Sequence, residues 1–220
     1  MARNGWNRDR RTLLAQSLGG YWDDLAALAR ELDPGQVRAA AELLLDTQAR
    51  GRVVFLAGNG GSAASASHFA CDLAKGTRDG GGPTFKVMPL TDNVPLMTAW
   101  ANDTSYDRIF AEQLRSLARP GDLLVAISAS GTSQNMVAAV ETARSLRVRT
   151  LALTGRDGGL IAPMVDLAIR VPSDCIEIVE DAHMAIAHSL CVATRDWLAN
   201  GQDEVVRAVP RIGDPVDLSA

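Results

Sequence analysis

The sequence predicts an α/β fold, a doubly wound five-stranded parallel sheet with a helical hairpin before it and a long helix after it. Five short, nearly continuous apolar runs recur along the chain, and segments with helical periodicity separate them. Two of these runs lead directly into loops rich in glycine or serine, each of which opens a helical segment. The 220 residues, 47% of them hydrophobic, are enough for one such domain with a substantial core.

The first 50 residues (1–50) are expected to form a helical hairpin that packs as part of the same domain. Apolar residues recur at helical spacing over residues 11–31, although a pair of glycines inside this segment could break or kink the helix. Asp33 followed by Pro34 is typical of a helix start, so a second helix is expected to run to about Arg50. The apolar stripe of this hairpin needs a partner, which is either the sheet or another subunit.

Residues 51–200 are predicted to form the sheet domain, and residues 201–220 a loosely held tail. The expected strands are 52–57, 85–90, 123–128, 150–153 and 167–171. The expected helices are 62–75, 105–118, 133–146, a short one near 158–164, and a long final one at 176–199. Five parallel strands joined by right-handed crossovers predict a flavodoxin-like sheet, which binds ligands beyond the carboxyl ends of its strands.

Charge and cysteine content exclude several classes of protein. A formal charge of −4 argues against a dedicated nucleic-acid binder. Cys71, Cys175 and Cys191 lack a short paired spacing, which favours reduced thiols in a cytoplasmic protein over a disulfide framework or a zinc finger. Neither an export signal nor a run of 18 apolar residues is present in the sequence, so no membrane association is expected.

A glycine-rich loop, GNGGS (58–62), follows the first expected strand and opens a helix. Glycines let the backbone approach a ligand closely, and a helix N-terminus favours an anion. The same segment also fits a weak dinucleotide-binding pattern, whose acidic residue would fall slightly late at Asp92. A purely structural turn is a further alternative.

A second loop, SASGTS (128–133), follows the third expected strand and contains four hydroxyl groups and one glycine. Hydroxyls and backbone N–H groups at a helix N-terminus favour a bound phosphate. The loop has no lysine and is therefore not a nucleotide-type P-loop, and the alternative is a serine-rich turn that caps a helix. The two loops together favour a phosphorylated sugar, because hydride transfer has no use for a second hydroxyl-rich cradle.

All three histidines stand close to acidic residues. His68 and Asp72 are four residues apart on the helix after the glycine-rich loop, so they share one face of that helix. The final helix carries two histidines and two neighbouring acids: Glu180, Asp181, His183 and His188. Two such groups suggest a metal site or an acid–base pair, and the alternative is helix-packing histidines.

The spacing of Glu180 and His188 bears on any such metal site. Eight residues separate them, which is roughly 12 Å along a straight helix, so they cannot easily bind one ion from the same helix. Either the helix bends or the site is shared between subunits. We expect a shared site, and therefore an oligomer.

Several motifs in this order and spacing resemble the sugar isomerase (SIS) domain enzymes of the phosphoheptose isomerase group. The segments are GNGGSAASASHFACDL (58–73), ANDTSYDRIFAEQL (101–114), ISASGTSQN (127–135), LTGRDGG (153–159) and IRVPS (169–173). The resemblance extends from the N-terminal helices to about residue 198.

The resemblance implies an isomerase that converts sedoheptulose 7-phosphate to a heptose 7-phosphate through an enediol, for heptose nucleotide or related sugar biosynthesis. It also implies a zinc-dependent homotetramer with sites at subunit interfaces. The substrate-binding positions that it implies are Asn59, Gly60, Gly61, Ser62, Asp72, Asn102, Asp103, Ser128, Ala129, Ser130, Ser133 and Glu180. The alternative within the same fold is a non-catalytic protein that binds a phosphosugar or associates with a replication initiator.

The metal ligands that the resemblance implies are His68, Asp72, Glu180 and His188. Asp72 is expected to remove the carbon-bound proton and His188 to move protons at the sugar oxygens, with Glu180 as the alternative base. The family usually has Glu at position 72 and Gln at position 180. Two carboxylates and two imidazoles would neutralise a divalent ion, hold it more tightly and make it a weaker Lewis acid.

Overall fold

The computed structural model describes residues 8–78 and 84–208, and its centre is a five-stranded sheet. All strand pairs are parallel, and the strand order is β2-β1-β3-β4-β5. The strands are β1 Val53–Gly58, β2 Lys86–Pro89, β3 Leu123–Ser128, β4 Arg149–Thr154 and β5 Leu167–Arg170. The order is the flavodoxin-like one, so the predicted fold class is confirmed.

Helices cover both faces of this sheet. They are α1 Arg8–Glu31, α2 Pro34–Ala49, α3 Gly61–Cys71, α4 Val94–Asp103, α5 Ala111–Leu117, α6 Gln134–Ser145 and α7 Ile176–Ala208. One core cluster joins a face of the sheet to α1, α2, α3 and α7, and a second joins the other face to α4, α5 and α6. Every residue of β3 is buried, which explains why its sequence is an unbroken apolar run rather than an alternating one.

The N-terminal segment contains two helices, α1 and α2, and both pack against α7. The Asp33 side chain accepts a hydrogen bond from the backbone N–H of Gly35 at 2.8 Å and so caps α2. Helix α1 is continuous through its two glycines, so they do not break the helix. Part of its apolar stripe packs on the core, while the remainder is exposed: Leu13, Leu14, Leu18 and Trp22.

Three helical segments differ from the sequence-based expectation. Helix α4 was not expected, although Asn93 caps it and Pro95 lies in its first turn. The segment expected as one helix at 105–118 divides into a 3₁₀ turn and α5. The helix expected near 158–164 is only a 3₁₀ turn, Ala162–Met164, because the two glycines before it adopt positive φ angles.

Helices α3 and α7 differ from the prediction near their C-terminal ends. Helix α3 passes into a π-helical turn at Asp72–Gly76, a local widening that is frequent at functional sites. Helix α7 continues to Ala208, beyond the expected end at residue 199. Among the described helices, none is both long enough and apolar enough to cross a bilayer.

Candidate functional site

Two loops meet at the carboxyl edge of the sheet because the strands that precede them are neighbours. Gly58 at the end of β1 pairs in register with Ile127 near the end of β3. The glycine loop (58–62) and the hydroxyl loop (128–133) therefore lie side by side. Helices α3 and α6 begin in these loops, and each N-terminus contributes roughly half a positive charge to the same region.

Glycine is required in the first of these loops. A Cβ atom at Gly58 would lie 2.5 Å from the carbonyl oxygen of Ser62, and Gly60 has a φ of +54°. Both positions would be strained with any other residue. The tight turn thus presents the backbone directly at the start of α3, which supports a ligand-binding loop.

The hydroxyl loop is held in shape by its own hydrogen bonds. The Oγ of Ser128 accepts from the backbone N–H of Gly131 at 3.2 Å, and the Oγ of Ser130 accepts from that of Thr132 at 3.3 Å. Gly131 has a φ of +64°, and a Cβ there would lie 2.3 Å from the carbonyl oxygen of Gly158. Because the serine oxygens act as acceptors, their hydroxyl hydrogens stay available for an anion.

A pocket of about 150 Å³ lies between the two loops and the start of α7. Seven of its lining residues were predicted to bind substrate: Asn59, Ser62, Ser128, Ala129, Ser130, Ser133 and Glu180. Ile127 and Ile176 complete the lining. The carboxylate of Glu180 lies against the first turn of α3, since a Cβ at Gly61 would be 2.6 Å from its Oε1. This pocket, called the cradle below, combines two helix N-termini, several hydroxyls and one carboxylate.

Three predicted metal ligands meet elsewhere, near the end of α3 and about two turns beyond Glu180 on α7. Asp72 Oδ2 lies 3.4 Å from the Nε2 atoms of both His68 and His188, and these two nitrogens are 3.4 Å apart. The group of His68, Asp72 and His188, called the triad below, is the one set of potential metal ligands found among the described residues.

The dimensions of the triad favour a tetrahedral ion. Tetrahedral ligands are separated by about 1.6 times the bond length, so 3.4 Å corresponds to bonds of about 2.1 Å, the zinc–nitrogen distance. Octahedral ligands at the same separation would need bonds of about 2.4 Å, too long for magnesium. The separations also exceed the usual hydrogen-bond range of roughly 2.7–3.2 Å. Three ligands leave the fourth tetrahedral position open.

The triad is much more exposed than the cradle. The side chains of His68 and His188 are 54% and 51% exposed, and that of Asp72 is 31% exposed. Asp72 is also the residue at which α3 widens into the π-helical turn. The groups are therefore accessible from outside the chain.

Glu180 does not join the triad within one chain. Helices α3 and α7 run in the same direction, because Glu180 lies beside Gly61 and His188 lies beside His68. Seven and eight residues along these helices correspond to roughly 10–12 Å, which separates Glu180 and the cradle from the triad. The prediction that Glu180 and His188 bind one ion only across subunits is not tested by a single chain.

His183 lies in a different environment from His188, although both belong to α7. Its side chain is 1% exposed, and both ring nitrogens lack a hydrogen bond of normal geometry. Burial lowers the pKa of His183 to about 4, and the nearby backbone of Thr154 offsets this only in part. His183 is thus a neutral packing histidine, the alternative that the sequence had left open.

Asn102 and Asp103 lie outside the lining of the cradle. They end α4 and are exposed, and Asn102 Nδ2 donates to Asp103 Oδ1 at 2.8 Å. Tyr106, three residues after Asp103, does contact the site, because its hydroxyl donates to Asn59 Oδ1 at 3.0 Å. Their predicted contact with substrate stays a prediction.

Two polar residues at the cradle were not recognised from the sequence. Asn135 in the first turn of α6 makes two side-chain hydrogen bonds with Asn59, each 2.8 Å long, and Tyr106 makes the third. The sequence feature that could have identified Asn135 is its amide side chain, two residues after the hydroxyl loop. The feature that could have identified Tyr106 is an aromatic residue with a hydroxyl group just beyond Asn102 and Asp103.

Comparison with known proteins gives one consistent family. The SIS domain profile matches residues 20–155, which include both loops and α3. The phosphoheptose isomerase of Akkermansia muciniphila is 40% identical over 172 residues, covering 78% of this chain and 89% of that protein. That of Alteromonas mediterranea is 41% identical over 174 residues, covering 77% and 87%. The structure of the Neisseria gonorrhoeae phosphoheptose isomerase has a TM-score of 0.77 at 32% identity, covering 83% of this chain and 99% of that one.

Proposed function

Since this chain belongs to the phosphoheptose isomerases of the SIS-domain family, and is thus a sugar-phosphate isomerase, we propose that it converts sedoheptulose 7-phosphate to a heptose 7-phosphate. The observation that carries the proposal is the presence in one small chain of both a preformed anion cradle and a triad with zinc-like dimensions. A heptose nucleotide or a related sugar is the proposed end of the pathway.

The phosphate group is proposed to bind in the cradle. Ser128, Ser130 and Ser133 supply hydroxyl donors, and the N-termini of α3 and α6 favour the dianion. This binding energy lies far from the reacting carbons and is used to align the sugar chain. The phosphate is therefore the anchor, and the open-chain carbonyl lies at the other end of the substrate.

Metal binding is proposed for the triad of His68, Asp72 and His188, with a carboxylate such as Glu180 as the fourth ligand across a subunit interface. When bound, a zinc ion there would supply polarisation of the sugar carbonyl. The triad contributes one negative charge from Asp72, so it would leave net positive charge on a divalent ion until Glu180 is added. This arrangement supports the proposed homotetramer with shared sites.

Proton transfer between C1 and C2 needs a base at carbon and a second group at the oxygens. We assign the first role to Asp72 and the second to His188, which lie 3.4 Å apart. Glu180 is the alternative base because it lines the cradle itself. The two assignments differ in which helix supplies the carboxylate, and within one chain only Asp72 lies beside His188.

The test is a proton-exchange assay with sedoheptulose 7-phosphate in deuterated water, with and without a chelator. We expect deuterium to enter at the carbon adjacent to the carbonyl together with formation of the heptose phosphate, and chelation to stop both. Ketose phosphates of five and six carbons serve as length controls. Turnover of the shorter sugars alone would contradict the proposed substrate, and phosphosugar binding without exchange would leave only the non-catalytic alternative.

A further inference from the structure

We propose that Asn135 is a positioning residue, assisted by Tyr106, which fixes the glycine loop against α6 so that both halves of the cradle contact one phosphosugar. The proposal rests on the proposed function, because it concerns the same pocket. It adds two residues to the site and assigns Asn59 a different role from direct side-chain contact with substrate.

The central observation is a reciprocal amide pair. Asn59 Nδ2 donates to Asn135 Oδ1 at 2.8 Å, and Asn135 Nδ2 donates to Asn59 Oδ1 at 2.8 Å. The two residues are 76 positions apart in the sequence, and Asn135 is 1% exposed. A pair with both bonds at good length fixes the relative position and the orientation of the two segments that carry it.

Tyr106 adds a third segment to this link. Its hydroxyl donates to Asn59 Oδ1 at 3.0 Å, although its ring is 56% exposed. It belongs to the 3₁₀ turn Tyr106–Arg108, shortly after the predicted substrate residues Asn102 and Asp103. The glycine loop, α6 and the segment after α4 are thus joined at one side chain.

The chemical consequence is that the side chain of Asn59 is largely occupied. Its Oδ1 accepts two hydrogen bonds, which uses both acceptor positions of an amide oxygen, and one of its two N–H hydrogens is also used. What the loop offers an anion is therefore mainly the backbone N–H groups of the glycine loop. Their direction depends on the amide pair.

Such a link lowers the entropic cost of binding, because two loops that must contact one ligand are already in place. Without it the glycine loop and the hydroxyl loop would move independently, and binding would have to order them. Loss of the link should therefore weaken phosphate binding and raise the Michaelis constant together. It should leave the triad unchanged.

The experiment compares Asn135→Leu with Gln113→Leu. Gln113 is the matched control: it is 2% exposed and donates two hydrogen bonds, to the carbonyls of Leu90 and Ile109, and it does not line the cradle. We expect Asn135→Leu to raise KM and the inhibition constant of inorganic phosphate about tenfold, with a smaller change in kcat. Gln113→Leu should lower Tm by a similar amount and change the phosphate constant less than about twofold.

A third variant, Tyr106→Phe, removes only an exposed hydroxyl and should fold normally. We expect a rise of about threefold in the same two constants, with Tm unchanged. Equal phosphate constants for Asn135→Leu and Gln113→Leu, or no effect of Tyr106→Phe, would overturn the proposal. Direct titration with inorganic phosphate, followed by phosphorus NMR, tests the link even if the protein does not turn over sedoheptulose 7-phosphate, so the two failures can be distinguished.

Discussion

The cradle and the triad are built in opposite ways. The cradle consists of backbone groups and short hydroxyl side chains at the ends of adjacent strands, and internal hydrogen bonds hold it. The triad consists of three longer side chains on two helix surfaces, all partly exposed. The comparison teaches that hydrogen bonds within one chain already hold the cradle in shape, whereas the triad leaves its side chains open to groups from outside the chain.

The strongest test of this division is Asp72→Asn. We expect kcat to fall by about 10³-fold or more, since one residue contributes both a metal ligand and the proposed base. Inhibition by inorganic phosphate should be unchanged, because the cradle lies roughly 15 Å away from Asp72 along α3. Steady-state kinetics and metal analysis of the purified variant check both halves, with the exposed Asp174→Asn as control. Normal turnover of Asp72→Asn would refute its assignment.

Mixing two inactive variants tests whether cradle and triad of different subunits work together. One variant carries Asp72→Asn, and the other carries Ser128→Ala together with Ser130→Ala. If each site takes its cradle from one chain and its triad from another, random mixed oligomers should recover about a quarter of wild-type activity. Co-expression of the two chains with different tags and assay of the doubly purified oligomer measures this. Absence of recovery would place both parts of the site in one chain.

The two histidines of α7, one buried and one exposed, should contribute differently to the pH dependence of the free energy of unfolding. His183 has a pKa of about 4 in the folded protein, against 6.5 in the unfolded chain, so the unfolded chain binds the extra proton first on acidification. Its contribution to the free energy of unfolding is complete above pH 6.5 and falls towards pH 4, by up to about 3 kcal/mol. Denaturant titrations at pH 7.5 and pH 5 should show this loss in wild type and in His188→Gln, but not in His183→Gln. An equal loss in His183→Gln would contradict the assignment.

The smallest expected effect concerns Glu180, the one carboxylate in the cradle. Replacement by Gln removes a negative charge near the bound phosphate, so inorganic phosphate should inhibit about threefold more tightly. Asp181→Asn, one residue further on the exposed side of α7, is the control and should have no such effect. A fall in kcat with tighter phosphate inhibition and unchanged metal content would favour Glu180 as the base, and an unchanged kcat would leave that role to Asp72.

The cradle was predictable because its signals are local. Continuous apolar runs predicted the strands to within one residue of their observed bounds, and the glycines and serines that follow them mark the loops. The parallel arrangement then places both loops at one edge. The amide pair of Asn59 and Asn135 was not predictable, since it depends on the register of two segments that are distant in sequence.

The triad was predictable only in part. His68 and Asp72 share a helix face by spacing alone, and the structure places them together. The spacing could not decide which histidine of α7 would join them. His183 and His188 are five residues apart and point in different directions, and only the packing of α7 on the sheet buries the first and leaves the second exposed.

The parallel course of α3 and α7 has a consequence for how this enzyme can change. Each helix carries a residue at the cradle and, two turns later, a histidine of the triad, so the packing of the two helices fixes the distance between cradle and triad within one chain. Sliding one helix along the other would displace Glu180 and His188 by the same amount. Any change in the packing register of α3 against α7 would therefore alter the cradle and the triad at the same time.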